Sequence, residues 1–580
     1  MNVTIKDLRR RIIQARGKEK ADLVIRGAKI VNVLTHEIME GDVAVCDGVI
    51  IGAGGTYEGK ETVNVSGYLL PGFIDSHIHV ESSMLVPARF GALLAARGTT
   101  TAIADPHEIM NVAGIPALEF MLESGKKSPI DLFFMMASCV PATPWEHSGA
   151  VIEAPVMEEA VLSHKVLGLG EMMNFSGVLF PDNNVLEKLV LAHKAGSVVD
   201  GHSPGLSGKD LAAYAAAGIS TDHECSTVEE MEERLRNGMY VQLRYGSACL
   251  NLPDLARGVT PGNVHRCLLC SDDIQPLTLR KRGSVDAGIR VLVSMGIDPI
   301  DAVMMASHNA AVCYGLKDRG AIAPGLLADL VLVDDLSRLN ILKVWKKGVL
   351  TASEGECLAP EPENTDYGPI TKTMHVKDFC EQKLKMHLRH GLVRTIKIIP
   401  GGVVTGEKIV QVKTDADGDF VFDEEQDVAR LCVVERHQST GNVSCALLSE
   451  YGIKRGAVAA SIAHDSHNII VAGTNTRDMA AAVEEVIRME GGMTAVLDGK
   501  VLASLELPVG GLMSEKDAEY VTRHLDRVQN AAHTVLGVRG DIEPVMTLCF
   551  LALPVIPVLR LTDLDLFDVR TMKFTDICVD

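Results

Sequence analysis

From about residue 66 to 318, short apolar runs alternate with stretches whose apolar positions recur every three to four residues, the rhythm of strands each followed by a helix. The strand-like runs are "YLLPGFIDSHIH", "TTTAIADPHE", "IDLFFMMASCVP", "KVLGLGEMM", "SVVDGHSPG", "ISTDHE", "MYVQLRYG" and "HRCLLCSDD", eight in all. Between them lie helical patterns such as "PARFGALLAARG", "NVLEKLVLAHKAG", "GKDLAAYAAAG" and "TVEEMEERLRNG", each closing on a glycine suited to a helix C-terminus. Eight strand-helix repeats over roughly 250 residues predict an α/β fold, a (β/α)8 TIM-like barrel. An open doubly wound sheet is the rival arrangement.

The flanks have another rhythm. Residues 1–65 contain "ADLVIRGAKIVNVLTHEIMEGDVAVCDGVIIGAG", alternating strands separated by turn residues, and 319–355 return to the same pattern in "GAIAPGLLADLVLVDDL" and "ILKVWKKGVLTA". Both ends are therefore expected to pair into one small split β-domain around the barrel at 66–318. Residues 356–375 are rich in Pro, Glu and Asn and read as a linker. Beyond them, 376–580 mix strands and helices and predict an additional C-terminal α/β domain.

At 580 residues the chain exceeds one hydrophobic core, in keeping with this division. A formal net charge of −20 excludes holding nucleic acid or anionic lipid by the overall field, and leaves a small neutral ligand open. The thirteen cysteines form no disulfide framework, and the charged N-terminus lacks an apolar signal core, so a cytoplasmic protein is expected. The longest late apolar run, "TLCFLALPVIPVLRL", is too short for a bilayer and is broken by prolines. Cys267 and Cys270 have zinc-ribbon spacing but no second pair, and read as core thiols.

Chemistry gathers at the predicted strand ends, where such barrels carry their active sites. His77 and His79 end the first strand, Asp105, His107 and Glu108 the second, Glu171 the fourth, His202 the fifth, His223 the sixth, and Asp272 with Asp273 the eighth. Residues two apart on a strand share a face, so His77, His79 and, if the strand continues, Glu81 converge. Any one of these histidines alone also reads as a hydrogen-bonded structural residue. Together, the four histidines with Glu171 and Asp272 offer ligands for two divalent metal ions sharing a carboxylate, with Glu171 as the bridge.

These residues resemble the amidohydrolase superfamily, in which an HxH follows the first strand, a Lys or Glu the fourth, histidines the fifth and sixth, and an Asp the eighth. Within it, "DSHIHVESSM", "ADPHEIMNVAG", "GHSPGLSGKDLAAYAAAGISTDHE", "CSDD" and "HDSHNIIVAGTN" together are similar to bacterial adenine deaminases, over essentially the whole length. The resemblance implies hydrolytic deamination of adenine to hypoxanthine and ammonia at a binuclear centre of His77, His79, Glu171, His202, His223 and Asp272. Manganese is the implied metal, with iron or zinc as alternatives, and a homodimer or larger homo-oligomer is the implied assembly.

Attack of activated water on C6 needs a base, for which Asp272 is the candidate, and an acid for the ring nitrogen N1. The usual deaminase place for that acid reads Ser203-Pro204-Gly205, so Glu81, Glu108 and Asp273 are the substitutes. His107, Asp273 and Ser203 are candidate substrate contacts. In the last domain His464, Asp465, His467 and Asn468 form a site-like cluster, read either as a lid over the barrel mouth or as a polar loop that caps the next helix or bonds backbone groups. Two rival functions remain: a hydrolase of the same superfamily acting on a cyclic amide or another aminated heterocycle, and a non-catalytic metal-binding protein on the same fold.

Overall fold

The computed structural model describes residues 3–247, 249–400 and 402–579. The helical segments end where the sequence places their stops. Helices Pro87–Ala95, Asn183–Ala195, Gly208–Ala216 and Val228–Arg236 are followed within three residues by Gly98, Gly196, Gly218 and Gly238. All four glycines have positive φ, which lets the chain leave the helix without a Cβ clash. Thr227 opens the last of these helices with a reciprocal capping box to Glu230.

Each helix returns the chain to a parallel strand. The first strand, Phe73–His79, pairs with the second, Thr99–Ala104, and the second with the third, Asp131–Phe134. Beyond the third strand Met136 bridges in parallel to Leu169 of the fourth, Gly168–Met172, which pairs with the fifth, Val198–Gly201. The Ser220 N–H donates to the Val199 carbonyl at 2.9 Å just before the sixth strand, Thr221–Asp222. The sixth pairs with the seventh, Tyr240–Arg244, and the seventh with Cys267–Cys270. One residue on, Asp272 and Asp273 pair with Ile78 and His79 of the first strand. Every residue of the first two strands is buried, as expected of parallel strands covered on both faces. Cys267 and Cys270 are buried in their strand.

Both ends of this region enter one seven-stranded sheet. Leu330–Val333 pairs antiparallel with Tyr68–Pro71, which pairs parallel with Lys29–Asn32. An ion-pair cluster joins this return segment to the third parallel strand: Asp131 receives Arg319 Nη1 at 2.7 Å, Lys346 Nζ at 2.8 Å and Lys347 Nζ at 2.9 Å.

The C-terminal part is built on an eight-stranded sheet. Its centre is antiparallel, and Leu392–Ile398 runs parallel to Val443–Ser449. One hydrophobic cluster runs from Ile78, Met84 and Leu85 of the first part to Met493, Leu512 and Met513 of the second, so the two share a core. The backbone seals the same seam where Ser514 N–H donates to the Met84 carbonyl at 2.9 Å. Among the described residues no helix is long and apolar enough to cross a membrane.

Against its burial, Lys346 and Arg319 hold the Asp131 carboxyl below the ordinary carboxylate range. Its contribution to stability is therefore present at neutral pH and lost as the pH falls below about 4. Asp131→Asn should lower stability by about 3 kcal/mol at neutral pH, because three cations lose their shared anion. Denaturant unfolding at pH 7 and at pH 3.5 checks this, and the difference between parent and variant should shrink at the lower pH.

Candidate metal centre and active site

The cluster is positioned by one buried carboxylate beneath the strand ends. Asp105 follows the second strand, and its Oδ2 accepts the Glu171 N–H at 2.8 Å while Oδ1 accepts the His107 N–H at 3.2 Å. A Cβ at position 170 would lie 2.1 Å from that Oδ2, so only glycine lets Asp105 reach the backbone of Glu171. The Asp105 carbonyl lies 3.0 Å from His79 Nδ1, which fixes the proton there and turns Nε2 inward.

Around Glu171 the imidazoles converge on both oxygens. Oε1 lies 3.3 Å from His79 Nε2, 3.3 Å from His107 Nδ1 and 3.8 Å from His77 Nε2. Oε2 lies 2.7 Å from His202 Nδ1 and 3.2 Å from His223 Nε2. Asp272 closes the ring, its Oδ1 3.1 Å from His79 Nε2 and 3.7 Å from His77 Nε2. Asp272 has a φ of 57°, a left-handed conformation that costs an L residue energy and belongs at functional positions.

The donor set fits divalent cations. His77, His79 and Glu171 form one group with ligand atoms within 4.8 Å of one another, His77, His223 and Asp272 a second, and Glu171, His202 and His223 a third. Both nitrogens of His77, Nε2 of His202 and Nδ1 of His223 are buried with no hydrogen-bond partner. Of these, His77 Nε2 faces Glu171 and Asp272, and a buried nitrogen left unpaired there is costly until a cation answers it. Burial opposes charge on Glu171, but His223 and the bond from His202 outweigh it and keep the carboxyl well below its usual range.

Sequence reasoning passed over two members. Arg244 Nη1 lies 3.0 Å from Asp272 Oδ2, and Nη2 lies 3.1 Å from Glu224 Oε2. Glu224 in turn sits 3.5 Å from His223 Nε2. Arg244 ends the seventh strand, which with the third is one of two whose ends offer no candidate in the sequence, and Glu224 directly follows His223.

The tentative residues separate clearly. Glu81 is not on the strand: the chain turns at His79 into a 3-10 helix over Val80–Ser83, so the three-residue convergence expected of "HIHVE" stops at two. Its Oε1 accepts the Ile109 N–H at 3.2 Å and its Oε2 is buried without a partner. Burial, reinforced by the charge on Glu108, pushes Glu81 up to about 7. Asp273 accepts the Ser82 hydroxyl. Ser203 is spent elsewhere: its hydroxyl donates to Asp222, whose Oδ2 also receives Arg234 Nε at 2.9 Å.

The C-terminal loop reaches into the same place. It joins strands Ala457–Ala460 and Ile469–Gly473, so no helix follows for it to cap. His464 Nδ1 lies 2.7 Å from Glu108 Oε1, and His467 Nε2 contacts Glu108 Oε2. Although burial disfavours its charge, Glu108 holds His464 at about 9. Asp465 Oδ1 lies 3.8 Å from His107 Nε2. Asn468 instead braces the loop, donating to the His147 carbonyl at 2.9 Å and accepting the Arg436 N–H at 3.1 Å. A cavity of about 420 Å³ lies over the cluster, lined by its imidazoles and carboxylates and by Val403, Asp465, Phe550 and Ile556 of the C-terminal part. Phe550 and Ile556 come from an apolar run with no motif in it, and Val403 from a separate segment.

Comparison with known proteins follows this geometry. Residues 68–351 match the amidohydrolase family, and residues 402–573 match the adenine deaminase C-terminal domain. An adenine deaminase 2 of Desulfotalea psychrophila is 51% identical over 571 residues, 98% of this chain and 99% of that protein. An adenine deaminase of Nitratidesulfovibrio vulgaris is 48% identical over 566 residues, 97% of this chain and 98% of its own. A solved enamidase of the amidohydrolase superfamily superposes with a TM-score of 0.44 at 21% identity, covering 59% of this chain and 98% of its own. With about half of its residues shared along nearly the whole length of such relatives, the chain belongs to the adenine deaminase family of the amidohydrolases.

Proposed function

We propose that the protein is an enzyme that hydrolyses adenine to hypoxanthine and ammonia, as in purine salvage. The observation that carries this is the convergence of four histidines, Glu171 and Asp272 under a cavity closed by the part of the chain that matches the adenine deaminase C-terminal domain. The sequence of strand pairings, which starts and ends on the first strand, supports a (β/α)8 barrel over 66–318. On this reading 1–65 and 319–355 form the split β-domain, 356–375 the linker and 376–580 the C-terminal domain. The scattered cysteines support a cytoplasmic location.

His77, His79, Glu171, His202, His223 and Asp272 would hold two divalent cations, manganese by the resemblance, with Glu171 shared between them. Bound there, such cations lower the pKa of water toward about 7 and stabilise developing negative charge. The chain's own groups do the rest. Asp272, oriented by Arg244 at 3.0 Å, takes a proton from the attacking water and passes it to the amine as the C6–N bond breaks. Of the three carboxyls considered for N1, Glu108 is kept ionised against its burial by His464 and His467, and Asp273 accepts the Ser82 hydroxyl on one oxygen. Glu81 keeps one buried oxygen free, so it is assigned as the proton donor to N1. The loop at His464 and Asp465 acts as a lid that keeps bulk water from the reacting carbon.

Incubation of adenine with protein purified in manganese should shift the ultraviolet spectrum to that of hypoxanthine and release one ammonia per purine, while a chelated control should do neither. No change in either sample would remove the substrate assignment. Asp272→Asn should lower kcat about 10³-fold with metal content retained, read by steady-state kinetics beside elemental analysis. Glu81→Gln should cost about 10²-fold in kcat at unchanged metal content; parental turnover in that variant would return the N1 proton to another group.

A further inference from the structure

A second cavity adjoins the first. Glu108 and His464 line both. Neither half of the chain forms it alone. Glu81, Met84 and Gln275 come from the strand-end side, and Ile462, Met493 and Leu512 from the C-terminal sheet and its loops.

Its chemistry is that of a slot for a flat heterocycle. Methionine and leucine side chains make polarisable apolar walls that adapt to a ring face. At the edge, the Gln275 side-chain amide makes no hydrogen bond to any described residue, although its backbone N–H is fixed on Ser247 Oγ at 2.9 Å. A free amide offers one acceptor and two donors to a ligand. Glu108 is held in place from the C-terminal side. His467 Nδ1 accepts the Ala463 N–H at 3.2 Å, which puts the ring proton on Nε2, against Glu108 Oε2. His464 takes the other oxygen at 2.7 Å. His107 Nε2 also lies 3.4 Å from Oε1, and of the roughly four lone-pair sites of a carboxylate this leaves one for a further donor, such as a purine N–H.

We propose that this cavity, shared by the two halves of the chain, seats the purine ring, with Gln275 and the clamped Glu108 reading its hydrogen-bonding edge. The ring then presents its substituted carbon past Glu108 to the histidine cluster in the neighbouring cavity. This rests on the adenine reading above and extends it: His464 and His467 are positioning residues for Glu108, and Gln275 is a specificity residue.

The test uses the full-length, manganese-loaded chain with hypoxanthine as an unreactive probe, so that binding is read without turnover. Gln275→Leu keeps the shape and removes the amide, and Leu512→Trp fills the slot. Calorimetric affinity for hypoxanthine should fall about tenfold or more in each, with a matching rise in KM for adenine, while metal content and melting temperature of Gln275→Leu stay parental. If Leu512→Trp does not fold, Gln275→Leu decides. Parental hypoxanthine affinity in Gln275→Leu overturns the pocket, and adenine turnover by the parent then leaves the deaminase reading standing. Conversely, a parent that binds hypoxanthine through Gln275 but does not deaminate adenine keeps the pocket and loses the reaction.

Discussion

The structure turns on a carboxylate that is not itself in the cluster. Asp105 accepts the backbone N–H of Glu171 and that of His107, and its carbonyl orients His79. Three residues of the site, on the first strand, just after the second and on the fourth, are thus registered against one residue before any cation enters. Buried charge is tolerated there because it is hydrogen-bonded at each step, and the approach is possible only because position 170 lacks a Cβ. A ring of imidazoles around Glu171 would otherwise be free to turn, and the donor nitrogens would not share a focus.

How much of this was legible in the sequence depends on whether the signal was periodic or spatial. Strand and helix rhythm is local, and so are the glycines that end the helices, which is why both read correctly. The strand-end histidines read well because the strands all run one way, so residues at their C-terminal ends meet on one face. Only the condition on Glu81 is not met: two-residue spacing carries through a strand, and nothing in "HIHVESS" shows that the strand gives way to a 3-10 helix after His79. Ser203 failed because its partners, Asp222 and Arg234, are far along the chain. Arg244 stood in plain view at the end of the seventh strand and was passed over, since a cation is not sought among ligands for cations. Phe550 and Ile556, which wall the cavity, lie in an apolar run that reads only as core.

The C-terminal part changes meaning once these contacts are counted. As a sequence it is an appended unit with a polar motif. In the structure it supplies two of the three histidines that face Glu108, one wall of each cavity and a share of the central core. A lid that only excluded water would need shape; this one also fixes a charge. The electrostatics of the strand ends therefore belong to both halves: Glu108 depends for its ionised state on His464, and His464 for its proton on Glu108.

The core shared across the seam also constrains the order of events in the cell. Translation delivers the strand-end ligands first and the loop at His464 hundreds of residues later. Until the last sheet docks, Met84 and Leu85 face water and the slot beside Glu108 has one wall. The strand-end ligands lie at or before Asp273, whereas the cavities take walls from residues as late as Cys549 and Ile556, so neither is complete without the C-terminal part. Docking of the C-terminal sheet is thus the step that completes the site.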